Sequence, residues 1–244
     1  MDEQTINKLN HLNRDFYLKV GEDFSKTRQH PWKGWHQLIP IINGQFLGQF
    51  NLKVLDVGCG NGRFGSFLAT QLNNTIEYVG WDNNQLLLEE AEEILAENNK
   101  IHSLQLIKVD LLESLPEARV DIVCLFGVLH HIPSFQARAV LLNQLADRLN
   151  PAGLLIFTAW QFDQLQNIYQ RRVDPSKVGL LEGDLEPNDF FLNWEKGTQA
   201  IRYCHLILDS EINDLVLGTE LHLIDDFAAD GPNETANTYI VLQK

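Results

Sequence analysis

The run from Val54 to Gly62 reads Val-Leu-Asp-Val-Gly-Cys-Gly-Asn-Gly, an apolar strand pattern that passes into a glycine loop. Gly58, Gly60 and Gly62 permit positive φ and close backbone approach. The helix expected from about Arg63 would turn its free N–H groups toward an anionic ligand, so the stretch reads as a nucleotide cradle. Its spacing narrows the choice of nucleotide. A dinucleotide fingerprint, Gly-x-Gly-x-x-Gly, counted from Gly58 would need its third glycine at position 63, where Arg63 stands; the glycine comes one residue early. Asp56, two residues before the first glycine, would crowd a pyrophosphate but attract the ammonium and sulfonium of a methionine moiety. The loop therefore favours S-adenosylmethionine over NAD, with an unliganded strand-helix turn as the plain alternative.

The elements that must position this loop alternate strand and helix, which gives an α/β fold. Strands are expected at residues 53–57, 76–81, 104–109, 121–126 and 154–158. Between them fall a helix after the loop, a second capped by Asn83 or Asn84, and a third capped by Ser134. Residues 121–126 are nearly all apolar, as a strand covered on both faces should be. Upstream, apolar positions within residues 5–20 suggest a helix, and a segment with Pro31, Trp32 and Trp35 leads into a short one at 35–46; residues 1–50 would form a helical cap on a main domain of residues 51–244. Pro175, Gly179, Gly183 and Pro187 break residues 161–200 into an irregular, mobile insertion over the ligand edge. Residues 202–208 read as extended, a helix follows to Leu217, and residues 220–228 and 238–242 suit a closing antiparallel pair.

Ligands of an open α/β sheet sit outside the carboxyl ends of its strands, where Asp56, Asp82, Asp110 and residues 126–131 would converge. At the end of the second strand Asp82 could accept from both ribose hydroxyls; as a plain structural acid it would serve the helix N-terminus behind it. Gly127 would let the chain pass close to the methionine portion, beside Phe126. His130 and His131 could act as general bases for a hydroxyl or amine, or be loop histidines bonded to backbone. No third His, Cys or acid stands at a recognisable ligand spacing, so no metal site is expected. Trp32 and Trp35 read as core packing, with stacking of a flipped base as the alternative.

Composition bounds the partners. The 244 residues, 44% hydrophobic, can bury one large core. Three scattered cysteines suit a reducing cytoplasm, and no apolar stretch approaches membrane-spanning length, so a soluble cytoplasmic protein without membrane contact is expected. The net charge of −14 argues against binding nucleic acid over the whole surface. Any polyanion would have to meet residues 1–50, with six Lys/Arg against five Asp/Glu, together with Arg171 and Arg172, rather than residues 201–244, with two against eight.

Residues 56–62 resemble motif I of the Rossmann-like S-adenosylmethionine-dependent methyltransferases. The resemblance implies a seven-stranded mixed sheet with helices on both faces, and a cofactor set of Asp56, Gly58, Cys59, Gly60, Gly62, Arg63, Asp82, Asn83, Asp110, Leu111, Phe126 and Gly127. In it Asp110 and Leu111 form the adenine corner. Three further stretches, Phe16-Tyr17 through Phe24-Ser-Lys-Thr-Arg28-Gln-His-Pro-Trp32, Val128-Leu-His-His-Ile132 and Arg202-Tyr-Cys-His205, are similar to the methyltransferases that esterify carboxymethyluridine at the tRNA wobble position, a family that includes the domain fused to an AlkB-type hydroxylase. That likeness implies tRNA as acceptor and a small zinc-binding activator as partner. It also implies a pocket in which Arg28 holds a carboxylate, completed by His130 or His131, Tyr17 or Tyr203, and His205. The chain departs from the family pattern at Pro151-Ala-Gly153 and at Ala159-Trp-Gln-Phe-Asp163. A small-molecule methyltransferase remains open, favoured by the acidic charge, and behind it a non-catalytic cofactor-binding module.

Overall fold

The computed structural model describes residues 1–27, 30–195 and 198–244, with the backbone alone at residue 24. Two helices, α1 (Glu3–Lys26) and α2 (Lys33–Gln45), precede β1 (Asn51–Val57), α3 (Arg63–Gln71), β2 (Thr75–Asp82), α4 (Gln85–Ala96), β3 (Ile101–Lys108) and β4 (Val120–Leu125). Then come α5 (Phe135–Asp147), β5 (Leu149–Trp160), α6 (Gln166–Tyr169), β6 (Arg172–Val173), β7 (Asp189–Trp194) and β8 (Ala200–His205). The chain closes with α7 (Asp209–Gly218), β9 (His222–Ala229) and β10 (Asn237–Gln243).

Seven strands make one mixed sheet in the order β3-β2-β1-β4-β5-β10-β9. The first five pair in parallel and β10 runs antiparallel to both neighbours, as expected for the closing pair. Strand alternation divides the core in two. Leu55, Val57, Val123 and Leu125 face α5 and α7, through Leu141, Leu145, Ile212 and Leu215. Val54, Ile76, Tyr78 and Ile156 face α2, α3 and α4, through Leu38, Phe67, Leu68, Leu88 and Leu95. Asn84 caps α4, its side chain accepting from the N–H groups of Leu86 and Leu87, and the Ser134 side chain caps α5 by accepting from Ala137 N–H.

Two regions differ from the sequence expectation. Residues 161–200 are not irregular throughout: β6 pairs antiparallel with β7, and β7 with β8, in a second sheet of three strands. The Pro and Gly residues there only punctuate the approach to Asp-Phe-Phe-Leu-Asn-Trp, which carries the apolar content of a strand. The N-terminal helix is longer than residues 5–20. Its buried stripe, Leu9, Asn13, Phe16 and Val20, lies against the second sheet through Phe191, Tyr203 and Trp194. The second sheet thus becomes the floor for α1. Among the described residues no helix is long and apolar enough to cross a membrane.

Candidate functional site

A cavity of about 590 Å³ opens at the carboxyl ends of β1, β2 and β4, within the usual range for a small-molecule site. Asp56, Gly58, Cys59, Gly60, Arg63, Asp82, Asn83, Asp110, Leu111, Phe126 and Gly127 all line it. Gly62 does not. It sits at φ +74 as the N-cap of α3, where a Cβ would come 2.8 Å from Leu95 and 3.1 Å from Ala91, so it serves helix packing. Gly60 is the opposite case: at φ +54 its missing Cβ points into open space, so any side chain there would fill the cradle.

Asp56 is 3% exposed. One of its oxygens accepts from the Tyr78 hydroxyl at 2.6 Å; the other has no hydrogen-bond partner among the described residues. Burial pushes its carboxyl up to about 7, against the lowering effect of the Tyr78 bond. A buried carboxylate short of one partner is complementary to a cation. Asp82 ends β2 and holds the loop in shape, accepting from Gly60 N–H at 2.9 Å and Asn84 N–H at 2.8 Å. Burial raises its carboxyl as well, while those backbone bonds lower it. Each Asp82 oxygen retains acceptor capacity toward the cavity, which suits ribose hydroxyls. Asp110 is drawn to α1, accepting from Asn10 Nδ2 at 2.9 Å and Arg14 Nη1 at 3.1 Å. The adenine corner is therefore roofed by the N-terminal helix. With its glycine cradle, its cation-seeking Asp56 and its acid at the ribose position, the cavity fits S-adenosylmethionine.

The far end of the cavity is made differently. His131 is buried, and its Nδ1–H donates to the Tyr203 carbonyl at 2.9 Å; a carbonyl can only accept, which fixes the tautomer. Nε2 then accepts from the Tyr17 hydroxyl at 2.8 Å. Burial, with the Arg202 guanidinium nearby, holds its pKa down to about 3, so the ring is neutral. Asn13 on α1 fastens the same corner, donating to the His131 carbonyl and accepting from Tyr203 N–H at 2.8 Å. His130 packs on Trp160 with ring centroids 5.0 Å apart. Tyr17, His130 and His131 all line the cavity, as do Trp32 and Trp35. The two tryptophans stack on each other, and Trp35 is at the same time buried in the core.

Three expectations from the sequence need revision. His205 does not line the cavity. Its ring nitrogens meet Asp189 Oδ1 and Glu211 Oε2, each at 2.7 Å, in a cluster completed by buried Arg138, which donates to Glu211 at 2.6 Å and Glu186 at 3.0 Å. Burial disfavours the imidazolium, but the bonds to Asp189 and Glu211 outweigh it and raise the pKa above the ordinary value. The Tyr203 hydroxyl likewise turns away from the cavity, donating to Asp189 at 2.7 Å; only its backbone reaches His131. Cys204 does supply a third candidate metal ligand beside His130 and His131, which spacing could not reveal because β8 is distant in sequence. Yet both His131 nitrogens are already committed, so the trio lacks a free ligand set. Arg28 lies outside the described residues. Sequence reasoning overlooked Trp160, Asn13 and Arg202 as parts of this end; the signals were the Arg202-Tyr-Cys-His205 stretch and, for Trp160, the departure at Ala159-Trp-Gln-Phe-Asp163.

The Methyltransferase domain family matches residues 49–180, more than half of the chain. The chain is 24% identical over 223 residues to the tRNA (carboxymethyluridine(34)-5-O)-methyltransferase of Schizosaccharomyces pombe, covering 82% of this chain and 84% of that protein. It is 25% identical over 149 residues to the tRNA (carboxymethyluridine(34)-5-O)-methyltransferase ALKBH8 of Mus musculus, covering 61% of this chain but only 20% of the mouse protein's length. Among solved structures, an S-adenosylmethionine-dependent methyltransferase from Methanosarcina mazei superposes with a TM-score of 0.64 at 17% identity over 84% of this chain and 97% of that one. The N-methyltransferase NodS of Bradyrhizobium japonicum, bound to S-adenosylhomocysteine, does so at 0.57 and 11% over 99% and 97%. Glycine cradle, buried acids, sheet order and these likenesses agree: the chain belongs to the Methyltransferase domain family.

Proposed function

We propose that this enzyme esterifies a carboxylate, that of a carboxymethyl group on the wobble uridine of a tRNA. The observation that carries the reading is the state of His131. Locked between the Tyr203 carbonyl and the Tyr17 hydroxyl, with its pKa held down to about 3, it is a poor acceptor for a proton at neutral pH. An acceptor that arrives already ionised needs no such base. A carboxylic acid with a pKa near ~4 meets that condition. S-adenosylmethionine, when bound, supplies a methyl carbon on a sulfonium. A carboxylate oxygen that bonds to this carbon leaves a neutral ester, with the carbon–sulfur electron pair back on sulfur and no proton to move. The residues of the chain then have only to align the two and exclude water. The names of the yeast and mouse relatives support uridine carboxymethyl as the acceptor.

The test is transfer of label from methyl-labelled S-adenosylmethionine to total tRNA and, separately, to a metabolite extract. Label in tRNA that mild alkali releases as methanol and ribonuclease abolishes is the expected result. The net charge of −14 favours a second reading, a small-molecule acceptor; label confined to the extract and indifferent to ribonuclease would establish it. With the tRNA reading goes a small zinc-binding activator, for which co-expression and co-purification is the direct assay.

A further inference from the structure

Each described arginine other than Arg202 donates to a carboxylate or a backbone carbonyl: Arg14 to Asp110, Arg63 to His30, Arg119 to Asp147, Arg138 to Glu186 and Glu211, Arg148 to Pro116, Arg171 to Glu195 and Arg172 to Tyr169. Arg202 has none of these. It lies on β8, 8% exposed, and among the described residues its guanidinium makes no hydrogen bond and no ion pair. Aromatic faces hold it instead, with the guanidinium carbon 4.9 Å from the centre of the Trp160 ring and 5.4 Å from that of Phe16. Leaving a guanidinium this deep without an anionic partner is costly unless a ligand supplies one.

Position says where that ligand would come from. Arg202, Trp160 and Ile168 line the main cavity, and the same three line a second cavity of about 170 Å³ bounded by Leu192, Asn193 and Trp194. Arg202 therefore stands in the wall between the two, and the main cavity that it borders is also lined by Asp56 and Asp82. Those acids would repel an anionic acceptor, and this cation offsets them where an acceptor has to sit. Through its planar fork of donors, arginine binds both oxygens of a carboxylate at once, which an ammonium cannot do.

We propose that Arg202 is the residue that selects an anionic acceptor, holding a carboxylate against the Trp160 face at the mouth of the second cavity. The inference deepens the carboxylate reading above and rests on it, but does not require the carboxylate to be on tRNA.

Two acid–amide pairs test it by calorimetry on the enzyme saturated with S-adenosylhomocysteine: 5-carboxymethyluridine against 5-carbamoylmethyluridine, and phenylacetate against phenylacetamide. The wild type should prefer at least one acid by about ten- to a hundredfold, the range of a charge-assisted hydrogen bond. Arg202→Met should abolish the preference and Arg202→Lys should recover part of it, with affinity for S-adenosylhomocysteine and melting temperature kept. In turnover the loss should fall on the KM of the acceptor more than on kcat. Equal binding of acid and amide by the wild type, no binding of any of the four, or a preference that survives in Arg202→Met overturns the proposal; if Arg202→Met does not fold, the Lys variant decides by its KM. The two readings fail separately. A preference lost with Arg202 but no label in tRNA sinks only the tRNA reading, whereas labelled tRNA with an unchanged KM in the variants sinks only the role of Arg202.

Discussion

At one end of the cavity Asp56 and Asp82 stand at the tips of adjacent strands, β1 and β2, and the loop between β1 and α3 is closed by Asp82 accepting from Gly60 N–H. At the other end Tyr17 and His131, 114 residues apart in sequence, meet at 2.8 Å, and Arg202 reaches the same corner from the second sheet. The first end is acidic, with Asp82 fixed by loop backbone and Asp56 by the Tyr78 hydroxyl of the adjacent strand. The second is aromatic and cationic, and its parts are fixed by side chains from distant segments. The contrast suits a bisubstrate site: a cationic donor at the acidic pole, an anionic acceptor at the other. It also teaches that the two poles should fail independently.

The largest expected effect falls on the ion cluster outside the cavity that anchors β8. Arg138→Met would leave Glu186 and Glu211 facing His205 without their guanidinium, and stranding buried charges costs about 3–5 kcal/mol. Urea denaturation should show a loss of that size, while the protein that remains folded binds S-adenosylhomocysteine as before. A loss under about 1 kcal/mol would mean that β8 is held by something other than this cluster.

A smaller effect, on the cofactor pole, follows from Asp56. Its carboxyl is pushed up to about 7, so below that pH the group is protonated and must release a proton to face a cation. The sign is therefore a weakening as pH falls. The Kd for S-adenosylhomocysteine, whose ammonium is the cation probed, should rise about tenfold per unit below 7 and level off above it. In Asp56→Asn the profile should be flat in this range and weak throughout. A wild-type affinity independent of pH between 5.5 and 8 would remove Asp56 from cation binding.

Smallest of all should be Tyr17→Phe. It deletes the donor to His131 Nε2, and an ionised acceptor needs no base, so kcat should drop by less than about tenfold. A fall of about 10² to 10⁴ would instead make the Tyr17–His131 pair the proton acceptor and favour a hydroxyl or amine substrate.

Much of the fold was legible because period and punctuation agreed. The burial of β4, the caps at Asn84 and Ser134 and the glycine spacing at 58 and 60 are local features, and each emerges where local pattern places it. Three residues show where such reading stops. Gly62 has the same sequence character as its neighbours, but the packing of α4 makes it a spacer against Leu95. His205 sits in a motif that points to a pocket, yet Asp189 and Glu211 claim both of its nitrogens. Arg202 looks like any strand arginine until Trp160 and Phe16 close on it and, among the described residues, no carboxylate follows.

By itself the sequence determined the α/β order, the cradle and the kind of cofactor, because hydrophobic period, cap chemistry and glycine spacing act over a few residues. Tertiary structure alone decided the second sheet, the docking of α1 upon it and which side chains meet beside His131. The physical reason is that a neutral histidine, a buried ion cluster and a guanidinium held by aromatic faces are defined by what surrounds them, and those surroundings come from distant segments, as with Tyr17 and His131, 114 residues apart.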